Sequence, residues 1–333
     1  MIIIQLMGGL GNQLQQYAFY KKIESLGVDV RIDDLWFDEE NQKKVLAPRK
    51  LELMELKGIS YKRATKKDVD ALIGSDDILG KIRRHIFASS IRRFDENGRI
   101  FVASLMDGII NGTIKDLYIQ GYFACEYYYA DILERLRNEI DFPFELCGNS
   151  EEIYKIANDM KKQCSVSIHL RRGDYLDPEN QMLFGGICSD AYYEHSIRYL
   201  ITRIGNECKK DEEMYASSDL GRKPVFYIFS DDMSYAQEFS FKMRTLNPDL
   251  TFGVVETNKN NPNFMDIYLM SCCKHNVTAN STFSFWGARL NGYENKVVIR
   301  PTKHRNDQNF DFESMKVWWK GWIFIDPEGK IYD

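Results

Sequence analysis

The sequence predicts an α/β protein with two domains. Strand-like apolar segments alternate with helix-like segments along most of the 333-residue chain, which is the order of a parallel sheet covered by helices. The clearest strand is 166–170, where every second residue is apolar (Val166, Ile168, Leu170). A strand, a glycine-rich turn and a helix also open the chain. Its length is enough for two domains rather than one.

The first domain opens with a βαβ unit. Residues 2–7 are typical of a buried strand, Gly8-Gly-Leu-Gly11 of a tight turn, and 28–32 of a second strand. A dinucleotide-binding fingerprint would need a third glycine where this chain has Leu14, whose side chain would obstruct close packing of the helix on the strand. The sequence therefore disfavours a nicotinamide-dependent oxidoreductase, the rival enzyme class.

The second half has the complete strand–helix alternation of a doubly wound domain. The loop-like segment 143–149 separates it from the first half. We therefore predict an N-terminal domain over 1–147 and a C-terminal domain over 148–333, with the extreme C-terminus expected to pack back on the N-terminal domain. The expected strands are 164–170, 224–229, 251–255, 275–278 and 296–300, and the expected helices include 126–137, 150–162, 190–204, 264–272 and one that begins at Ser281.

The composition excludes several classes of protein. A net charge of −5 gives no reason to expect nucleic-acid binding. Seven scattered cysteines without a C-x-x-C pair predict neither a zinc ribbon nor a disulfide framework, and free buried thiols are the expectation. The short apolar start and the absence of a run of about 20 apolar residues predict a cytoplasmic protein.

One segment suggests contact with a membrane surface. Residues 81–93 carry five basic side chains and a broken apolar stripe. Such a helix can rest on an anionic membrane, which would make the protein peripheral at the cytoplasmic face. The alternative is an ordinary solvated helix face.

Three polar groups fall where strands of the second domain end, the edge at which open α/β sheets bind ligands. A pair of guanidinium groups suits an anion. Hydroxyl residues at a helix start leave N–H groups that suit a phosphate, although capping alone is their commoner use. Together the groups predict a diphosphate site. They are His169-x-Arg171-Arg172-x-Asp174, Ser230-Asp231-Asp232 and Asn280-Ser-Thr-Phe-Ser-Phe-Trp-Gly-Ala288.

The first and third of these groups, together with Gly8-Gly-Leu-Gly-Asn-Gln13, resemble motifs of the bacterial-type α-1,2-fucosyltransferases of glycosyltransferase family eleven. The order and spacing of the motifs match, and the one departure is Phe285, where the family usually has Trp. The resemblance implies a GT-B fold, in which two Rossmann-like domains face each other across a cleft that holds GDP-β-L-fucose. It also implies inverting transfer of fucose to the 2-hydroxyl of a terminal β-galactose.

The same resemblance implies the partners. The acceptor would be a galactose-terminated oligosaccharide presented by the N-terminal domain, in O-antigen, capsule or glycan synthesis, and a lipid-linked acceptor at the inner membrane is a further hypothesis. No cofactor and no divalent metal are expected beside the donor GDP-L-fucose. The one D-x-D motif, Asp68-Val-Asp70, lies in an apparent helix and is discounted, while Asp231-Asp232 is a weaker metal alternative.

The implied chemistry gives roles to the focal residues. The departure of GDP builds up negative charge, which Arg171 or Arg172 can neutralise. Arg172 is the first choice for the β-phosphate, with Arg171 in support. An inverting transfer needs a base for the acceptor proton, and Asp174 is the first choice before Asp177 and Glu179. The alternative role for Asp174 is to anchor an arginine. His169 is the third residue assigned to the catalytic set. The alternatives are that it holds the donor or that its role is purely structural.

The remaining predicted site residues bind the donor. By resemblance, the residues around Asn280 meet the diphosphate, Asp266 reads the guanine, and the first domain contributes amides. The alternatives are another GDP-fucose linkage (α-1,6 or protein O-fucosylation) and a non-catalytic nucleotide-sugar-binding module. The predicted donor-binding set is Gly11, Asn12, Gln13, Arg171, Arg172, Asp231, Asp232, Asp266, Asn280, Ser281, Thr282 and Phe283.

Overall fold

Two parallel sheets, each in its own unit of the chain, form the framework. The computed structural model describes residues 1–45, 48–75, 92–96, 100–214, 223–256 and 261–333. The chain divides into the units Met1–Asp141 and Phe142–Asp333. The α/β class with two Rossmann-like domains is confirmed. The predicted boundary at 147/148 lies a few residues beyond this division.

The first unit has a four-stranded sheet in the order β2-β1-β4-β3, with all pairs parallel. Helix α1 follows β1, and its Leu14 side chain is fully buried. The predicted helix over 126–137 is wrong in part, because short 3-10 turns precede α5. The elements are β1 (Ile2–Gln5), α1 (Leu10–Ser25), β2 (Val30–Asp33), α2 (Glu39–Gln42), α3 (Lys66–Ile73), β3 (Arg93–Asp95), α4 (Ala103–Ile110), β4 (Leu117–Gln120) and α5 (Leu133–Glu139).

The second unit has a seven-stranded sheet in the order β11-β10-β9-β8-β5-β6-β7. All neighbours are parallel except the C-terminal pair β10–β11. The elements are α6 (Ser150–Lys162), β5 (Ser165–Leu170), α7 (Pro178–Phe184), α8 (Asp190–Met214), β6 (Val225–Ser230), α9 (Met233–Leu246), β7 (Thr251–Val254), α10 (Phe264–Cys272), β8 (His275–Val277), α11 (Thr282–Leu290), β9 (Val298–Pro301), α12 (Phe312–Trp318), β10 (Trp322–Ile325) and β11 (Ile331–Tyr332).

Strand β5 lies where the strand order reverses. Successive strands β6 and β7 lie on one side of it, and β8, β9 and β10 lie on the other. All six residues of β5 are buried, including Ser165 and His169, because helices cover both faces of a parallel sheet. Ser167 accepts a hydrogen bond from the Asn276 amide at 2.7 Å, which satisfies a polar group inside the core. The ends of β5 and β8 therefore form the crevice at which such sheets bind ligands.

The extreme C-terminus belongs to the second sheet. Strands β10 and β11 extend this sheet beyond β9. The expectation that this segment packs back on the N-terminal domain stays a prediction. Trp319 and Trp322 are buried against Phe285 and close the core on this side of the sheet. Strands β10 and β11 were not predicted from the sequence. Each is a short apolar segment that differs from a loop only when a partner strand lies beside it.

Two buried arginines flank Trp319. Arg289 and Arg300 are 1% and 2% exposed, and their guanidinium carbons lie 4.7 Å and 4.0 Å from the centroid of the indole ring. Stacking on an aromatic face offsets part of the cost of burying a cation. The Trp319 ring is thus a shared contact of two charges that repel each other, and Phe285 lies near both as well.

Further sequence expectations concern the cysteines and the possible membrane-binding segment. Five cysteines are free thiols, but Cys164 is disulfide-bonded, so the expectation of free thiols alone fails at that position. Most of the basic segment 81–93 also lies outside the described residues. Within the part that is described, no helix is both long and apolar enough to cross a bilayer.

We expect Trp319→Ala to lower the free energy of unfolding by roughly 3–5 kcal/mol, since it removes a buried ring and the shortest ring contact of each of the two guanidinium groups. Trp318→Ala is the matched control, because its neighbouring indole is only partly buried and should cost clearly less. Urea unfolding followed by tryptophan fluorescence and far-UV circular dichroism measures both variants. Equal losses in both variants would contradict the proposed role of the arginine stack.

Candidate active site

The candidate site lies at the carboxyl ends of three neighbouring strands. Strand β5 ends before Arg171-Arg172, β6 ends before Asp231-Asp232, and β8 leads to Asn280 at the start of α11. The parallel register pairs Leu170 with Ser230, the last residues of β5 and β6. The arginine pair and the aspartate pair come next in the two chains and therefore lie side by side. The sequence prediction that these groups meet at one sheet edge agrees with this register.

Arg171 is held between two carboxylates. Its Nη1 lies 2.5 Å from Asp231 Oδ2, and its Nη2 lies 2.5 Å from Asp174 Oδ1. The guanidinium carbon is 5.3 Å from the centroid of the Tyr175 ring. Arg171 is therefore fixed in direction from both sides before any ligand binds.

Arg172 is oriented by a carboxylate and an aromatic ring. Its Nε lies 3.2 Å from Asp232 Oδ2, and its guanidinium carbon lies 4.0 Å from the centroid of the Tyr235 ring. The side chain is about one third exposed, so solvent screens the ion pair. The ion pair with Asp232 engages the guanidinium through Nε.

Asp231 and Asp232 organise the arginines. Asp231 Oδ1 accepts a hydrogen bond from the backbone N–H of Arg172 at 2.9 Å, in addition to its ion pair with Arg171. Asp232 caps α9 by accepting from the backbone N–H of Tyr235 at 3.0 Å. Both were predicted to contact the donor. Their described bonds instead favour a positioning role.

Gly173 allows Asp231 to come close. A Cβ atom built at Gly173 would lie 2.4 Å from Asp231 Oδ2, so a larger residue there would push the carboxylate away. The glycine in the motif is needed for this approach and not for a positive φ angle.

Asn280 clamps the loop that follows β5. Its amide nitrogen donates to the carbonyls of Phe184 and His304, both at 3.1 Å. Its side-chain oxygen accepts from the Cys188 thiol at 3.5 Å, and its backbone carbonyl accepts from the Tyr175 hydroxyl at 3.1 Å. The sequence predicted that Asn280 binds the donor. These bonds favour the role of a loop clamp instead, because Asn280 is only 2% exposed and its side chain is engaged by the protein.

A second asparagine completes the clamp. The backbone N–H of Asn306 donates to the Leu183 carbonyl at 2.8 Å, and its side chain donates to the carbonyls of Met182 and Gly185. These carbonyls end helix α7 and have no partner within it. The Tyr175 and Phe184 rings stack 4.5 Å apart below the same turn.

The clamped loop and the strand ends enclose a cavity of about 180 Å³. Both arginines line it, and aromatic side chains from α7, α8 and α9 form much of the remaining wall. Its lining combines two guanidinium groups with apolar and aromatic side chains, which suits an anionic ligand that also has an apolar part. The lining includes Arg171, Arg172, Tyr175, Phe184, Tyr193 and Tyr235.

Helix α11 starts beside this cavity. Ser281 is its N-cap residue, but its side chain makes no capping hydrogen bond, so the hydroxyl does not occupy the first-turn N–H groups. Thr282 and Phe283 form the first turn, and the Phe283 ring lies 5.8 Å from the His169 ring. Binding of an anion at this helix N-terminus stays a prediction.

His169 is a buried, neutral imidazole. It is 4% exposed, and burial, with a smaller contribution from the Arg171 charge, lowers its pKa to about 3. Its Nδ1 atom has no hydrogen-bond partner in the described structure, while its backbone carbonyl accepts from the Tyr193 hydroxyl at 2.9 Å. Its assignment to the catalytic set stays a prediction, and the burial favours holding the loop over transferring a proton.

The other carboxylates lie at helix starts. Asp177 precedes α7 and Glu179 is in its first turn, so both belong to the segment that also carries Asp174. Asp266 is in the first turn of α10, where the helix dipole favours a negative charge without any ligand. The structure gives no contact that selects it for guanine.

The predicted residues of the first unit differ from one another in role. Gln13 is fully buried and is engaged by backbone: its amide donates to the Gly8 and Lys50 carbonyls, both at 2.8 Å, and its oxygen accepts from Leu53 N–H. Gly11 is also buried, inside α1. Asn12 is partly exposed and packs on Gly8, whose positive φ of 81° and contact with the Asn12 amide exclude a side chain. Of these three, Asn12 is the best placed to meet a ligand.

Sequence reasoning missed several residues that shape the site. Tyr235 and Asn306 act through a ring face and through backbone carbonyls, and neither belongs to a recognisable motif. In the described parts of the chain, no group of three or more His, Cys, Asp or Glu side chains has an arrangement that could hold a metal ion. Metal-independent transfer stays a prediction.

We expect Gly173→Ala to weaken GDP binding at least tenfold with little effect on thermal stability, because the new methyl group displaces Asp231 and with it Arg171. Calorimetric titration with GDP measures the effect. Gly253→Ala is the matched control, since a Cβ atom there meets nothing within 4 Å. Unchanged binding in Gly173→Ala would show that Asp231 does not set the arginine geometry.

His169 should make folding sensitive to acid. Its pKa is about 3 in the folded protein and near 6.5 when unfolded, so the unfolded state binds more protons and stability falls as the pH drops below about 6.5. Between pH 7 and pH 5 this loss should reach up to about 2 kcal/mol. Urea unfolding at both pH values should show a smaller difference for His169→Gln than for the native chain. The same pH dependence in both proteins would refute the assignment.

Curated bacterial relatives align with almost the whole chain. An α-1,2-colitosyltransferase of Escherichia coli is 28% identical over 318 residues, covering 90% of this chain and 91% of the relative. The O-antigen biosynthesis glycosyltransferase WbnK of Escherichia coli is 27% identical, covering 94% and 98%. Human galactoside α-(1,2)-fucosyltransferase 1 is 24% identical over 178 residues, which are 51% of this chain and 42% of the human protein.

Solved structures show only distant likeness. The NodZ α-1,6-fucosyltransferase co-crystallised with GDP has a TM-score of 0.40 at 12% identity, covering 86% of this chain and 91% of that chain. POFUT1 in complex with GDP-fucose has a TM-score of 0.40 at 10% identity, covering 89% and 96%.

The family comparison agrees with the motifs around the site. The family model of Glycosyl transferase family 11 matches residues 100–326, well over half of the chain, and this range includes the arginine pair and the Asn280 segment. The chain therefore belongs to glycosyltransferase family 11.

Proposed function

We propose that the protein is an inverting galactoside α-1,2-fucosyltransferase. It moves L-fucose from GDP-β-L-fucose to the 2-hydroxyl of a terminal β-galactose. The observation that carries this proposal is the pair of oriented guanidinium groups at the switch point of the second sheet, next to the N-terminus of α11. Family membership supports glycosyl transfer, and the α-1,2 linkage in the names of its relatives supports the regiochemistry.

The arginines account for departure of the leaving group. As the glycosidic bond to the diphosphate breaks, negative charge grows on the β-phosphate oxygens. Guanidinium groups that are already oriented stabilise this charge without reorganising at the moment of reaction. Arg172, whose Nη groups are not engaged by Asp232, is assigned to the β-phosphate, and Arg171 supports it.

The α11 N-terminus extends the anion site. The positive end of the helix dipole favours the second phosphate at this position. Asn280 supports this binding indirectly by fixing the loop on the far side of the cavity.

A colitose donor is a second candidate. The relative at 28% identity carries α-1,2-colitosyltransferase in its name. Colitose lacks the 3-hydroxyl of fucose. Several polar groups of the cavity wall are engaged by the protein itself, such as the Tyr175 and Tyr193 hydroxyls, and a wall of this kind selects weakly for one sugar hydroxyl.

The proposal also covers the acceptor and the cellular location of the reaction. WbnK is named for O-antigen biosynthesis, which supports a galactose-terminated, lipid-linked acceptor at the cytoplasmic face of the inner membrane. The protein would then be peripheral to this membrane. Absence of retention on anionic vesicles at low salt would contradict such an association.

The decisive test is release of GDP from GDP-fucose in the presence of lactose or a related β-galactoside, with EDTA present. We expect turnover in the native protein and a loss of about 10³-fold or more in Arg172→Ala, because the charge on the departing phosphate loses its fixed cation. Arg198→Ala, which removes an exposed arginine of α8, is the matched control and should keep its activity.

The other outcomes separate the alternatives. NMR of the product distinguishes an α-1,2 from an α-1,6 link, and parallel reactions with GDP-colitose rank the two donors. GDP-fucose binding without any turnover would indicate a nucleotide-sugar-binding module or a different acceptor class, such as protein. Absence of GDP-fucose binding would refute the proposal.

A further inference from the structure

A row of polar side chains crosses the first sheet at the carboxyl ends of its strands. Residues that pair across parallel strands share a face of the sheet. The residues just before Gln5 and Gln120 pair with each other, so these two glutamines are neighbours across β1 and β4. In spatial order from β2 to β3, the polar row consists of Asp33, Gln5, Gln120 and Asp95.

The same face of the sheet is apolar one step back along the strands. Ile3, two residues before Gln5, packs with Val69 and Leu72 of α3. Faces of parallel sheets are normally apolar throughout, because helices cover them. Gln5 is partly exposed and Asp95 is exposed, so the polar row lies where the hydrophobic core of this face ends.

Gln5 has an unsatisfied hydrogen-bond acceptor. Its side-chain oxygen, Oε1, is buried and has no hydrogen-bond partner in the described parts of the chain. The great majority of buried polar atoms are paired, because an unpaired one has lost its bond to water without replacement. Gln5 as a whole is partly exposed, which places this oxygen at the edge of the core. The missing partner is therefore a donor that approaches from outside.

Neighbouring donors are engaged by carboxylates. The Tyr118 hydroxyl reaches across β1 and donates its one proton to Asp33 Oδ2 at 2.8 Å. The Arg93 guanidinium donates through Nε to Asp95 Oδ1 at 2.8 Å and through Nη2 to the Gln120 oxygen. These bonds hold the rest of the polar row in place.

The loop after β4 is held in a strained conformation. Phe123 has a φ of 47°, a left-handed value that residues other than glycine seldom adopt. Its N–H donates to Glu96 Oε2 at 3.1 Å, its carbonyl accepts from the Tyr129 hydroxyl at 3.2 Å, and its ring stacks on Phe19 with 4.0 Å between centroids. Such strain persists where the surroundings fix a conformation, and it clusters at ligand sites. The chain that follows Gln120 is thus held rigidly.

We propose that the polar row is the subsite for the acceptor sugar, and that the Gln5 oxygen accepts a hydrogen bond from one of its hydroxyl groups. The inference rests on the proposed function, whose acceptor ends in β-galactose. Gln5 then determines specificity for that hydroxyl, because its oxygen gains a partner only when the acceptor binds. A sugar without this hydroxyl leaves the buried oxygen unpaired, and sites that hydrogen-bond a substrate hydroxyl discriminate strongly in this way.

The chemistry of the polar row favours a neutral sugar over an anion. Asp33 and Asp95 present carboxylate oxygens and Gln5 adds a carbonyl oxygen, all of which accept hydrogen bonds. Sugar hydroxyls donate to such groups, whereas a phosphate would face two carboxylates. The Gln120 amide nitrogen lies 4.0 Å from the weakly accepting sulfur of Met7, so a sugar oxygen would be a stronger acceptor for it.

An aromatic side chain lies at the same end of the sheet. Trp36 belongs to the 3-10 turn Leu35–Phe37, which follows the end of β2, and it is partly exposed. A flat ring offers apolar surface to the C–H groups of a sugar, while polar groups fix the orientation of its hydroxyls. Trp36 and the polar row together supply both kinds of contact.

The test begins with Gln5→Met, which keeps the length of the side chain and removes its oxygen. We expect the KM for a β-galactoside to rise about 3- to 10-fold, since one hydrogen bond to the acceptor is lost. The KM for GDP-fucose should not change. The midpoint of urea unfolding should stay the same or increase, because an unpaired buried oxygen is gone. A lower urea midpoint with an unchanged acceptor KM would indicate a purely structural role and overturn the proposal.

Deoxy acceptors identify the hydroxyl. The 3-, 4- and 6-deoxy β-galactosides are compared with the parent sugar in the native protein and in Gln5→Met. One of them should react about 3- to 10-fold less efficiently with the native protein and show no further loss in the variant, because both changes remove the same bond. Full additional losses for all three analogues in the variant would contradict the assignment.

Gln163→Met is the matched control. The Gln163 oxygen accepts from the Tyr227 hydroxyl at 2.9 Å in the second unit, so this variant removes a glutamine oxygen that already has a donor within the protein. Its acceptor KM should equal that of the native protein, while its urea midpoint should fall. Gln5→Leu provides a second variant, with the same expected result, should Gln5→Met fold poorly.

A binding measurement separates this inference from the proposed function. Saturation-transfer NMR with lactose in the presence of GDP detects the sugar on the protein whether or not transfer occurs. A weaker lactose signal in Gln5→Met than in the native protein supports the subsite, and equal signals, or no signal in the native protein, would overturn it. Absence of turnover with every β-galactoside would refute the proposed function, and the lactose signals would then decide the subsite by themselves.

Discussion

The site depends on the contact between an arginine pair and an aspartate pair at the ends of two neighbouring strands. Register places Arg171 and Arg172 beside Asp231 and Asp232, and the two arginines each engage a different aspartate. Exposed ion pairs contribute little to stability, so their value here is geometric. They hold two cations in fixed directions at the one place in the sheet where the strand order reverses and a crevice opens.

A layer of hydrogen bonds behind the cluster keeps its loop in place. Asn280 and Asn306 bind carbonyl groups at the end of α7, and this loop carries the carboxylates that are candidates for the base. Both asparagines act on backbone, so their influence on chemistry would pass through the position of the loop. The buried stack of Arg289, Trp319 and Arg300 secures the C-terminal strands of the same sheet, so the framework on which the site rests is itself held by cation–ring contacts.

The same type of side chain has different roles that the sequence does not distinguish. In the sequence, both amides after the glycine turn are equally good candidates for a ligand contact. In the structure, all three described hydrogen bonds of the Gln13 side chain are with backbone groups. The adjacent Asn12 is partly exposed. Asn280 lies in a motif that the resemblance assigns to the donor, but the folded chain turns it toward its own loop. Hydrogen-bond partners far apart in sequence decide such cases, and a linear pattern does not contain them.

The sequence by itself determined the α/β class, the central strands of the second sheet and the residues that gather at their ends. It did so because apolar alternation and strand–helix order are local properties, and because the carboxyl ends of parallel strands meet at one edge. Tertiary structure alone decided that β10 and β11 extend this sheet, since short apolar segments become strands only when a partner is present. It also decided that Asp231 and Asp232 hold the arginines and that Asp174 shares Arg171. Those pairings follow from strand register and from the course of the loop, which are set by the packing of the whole unit.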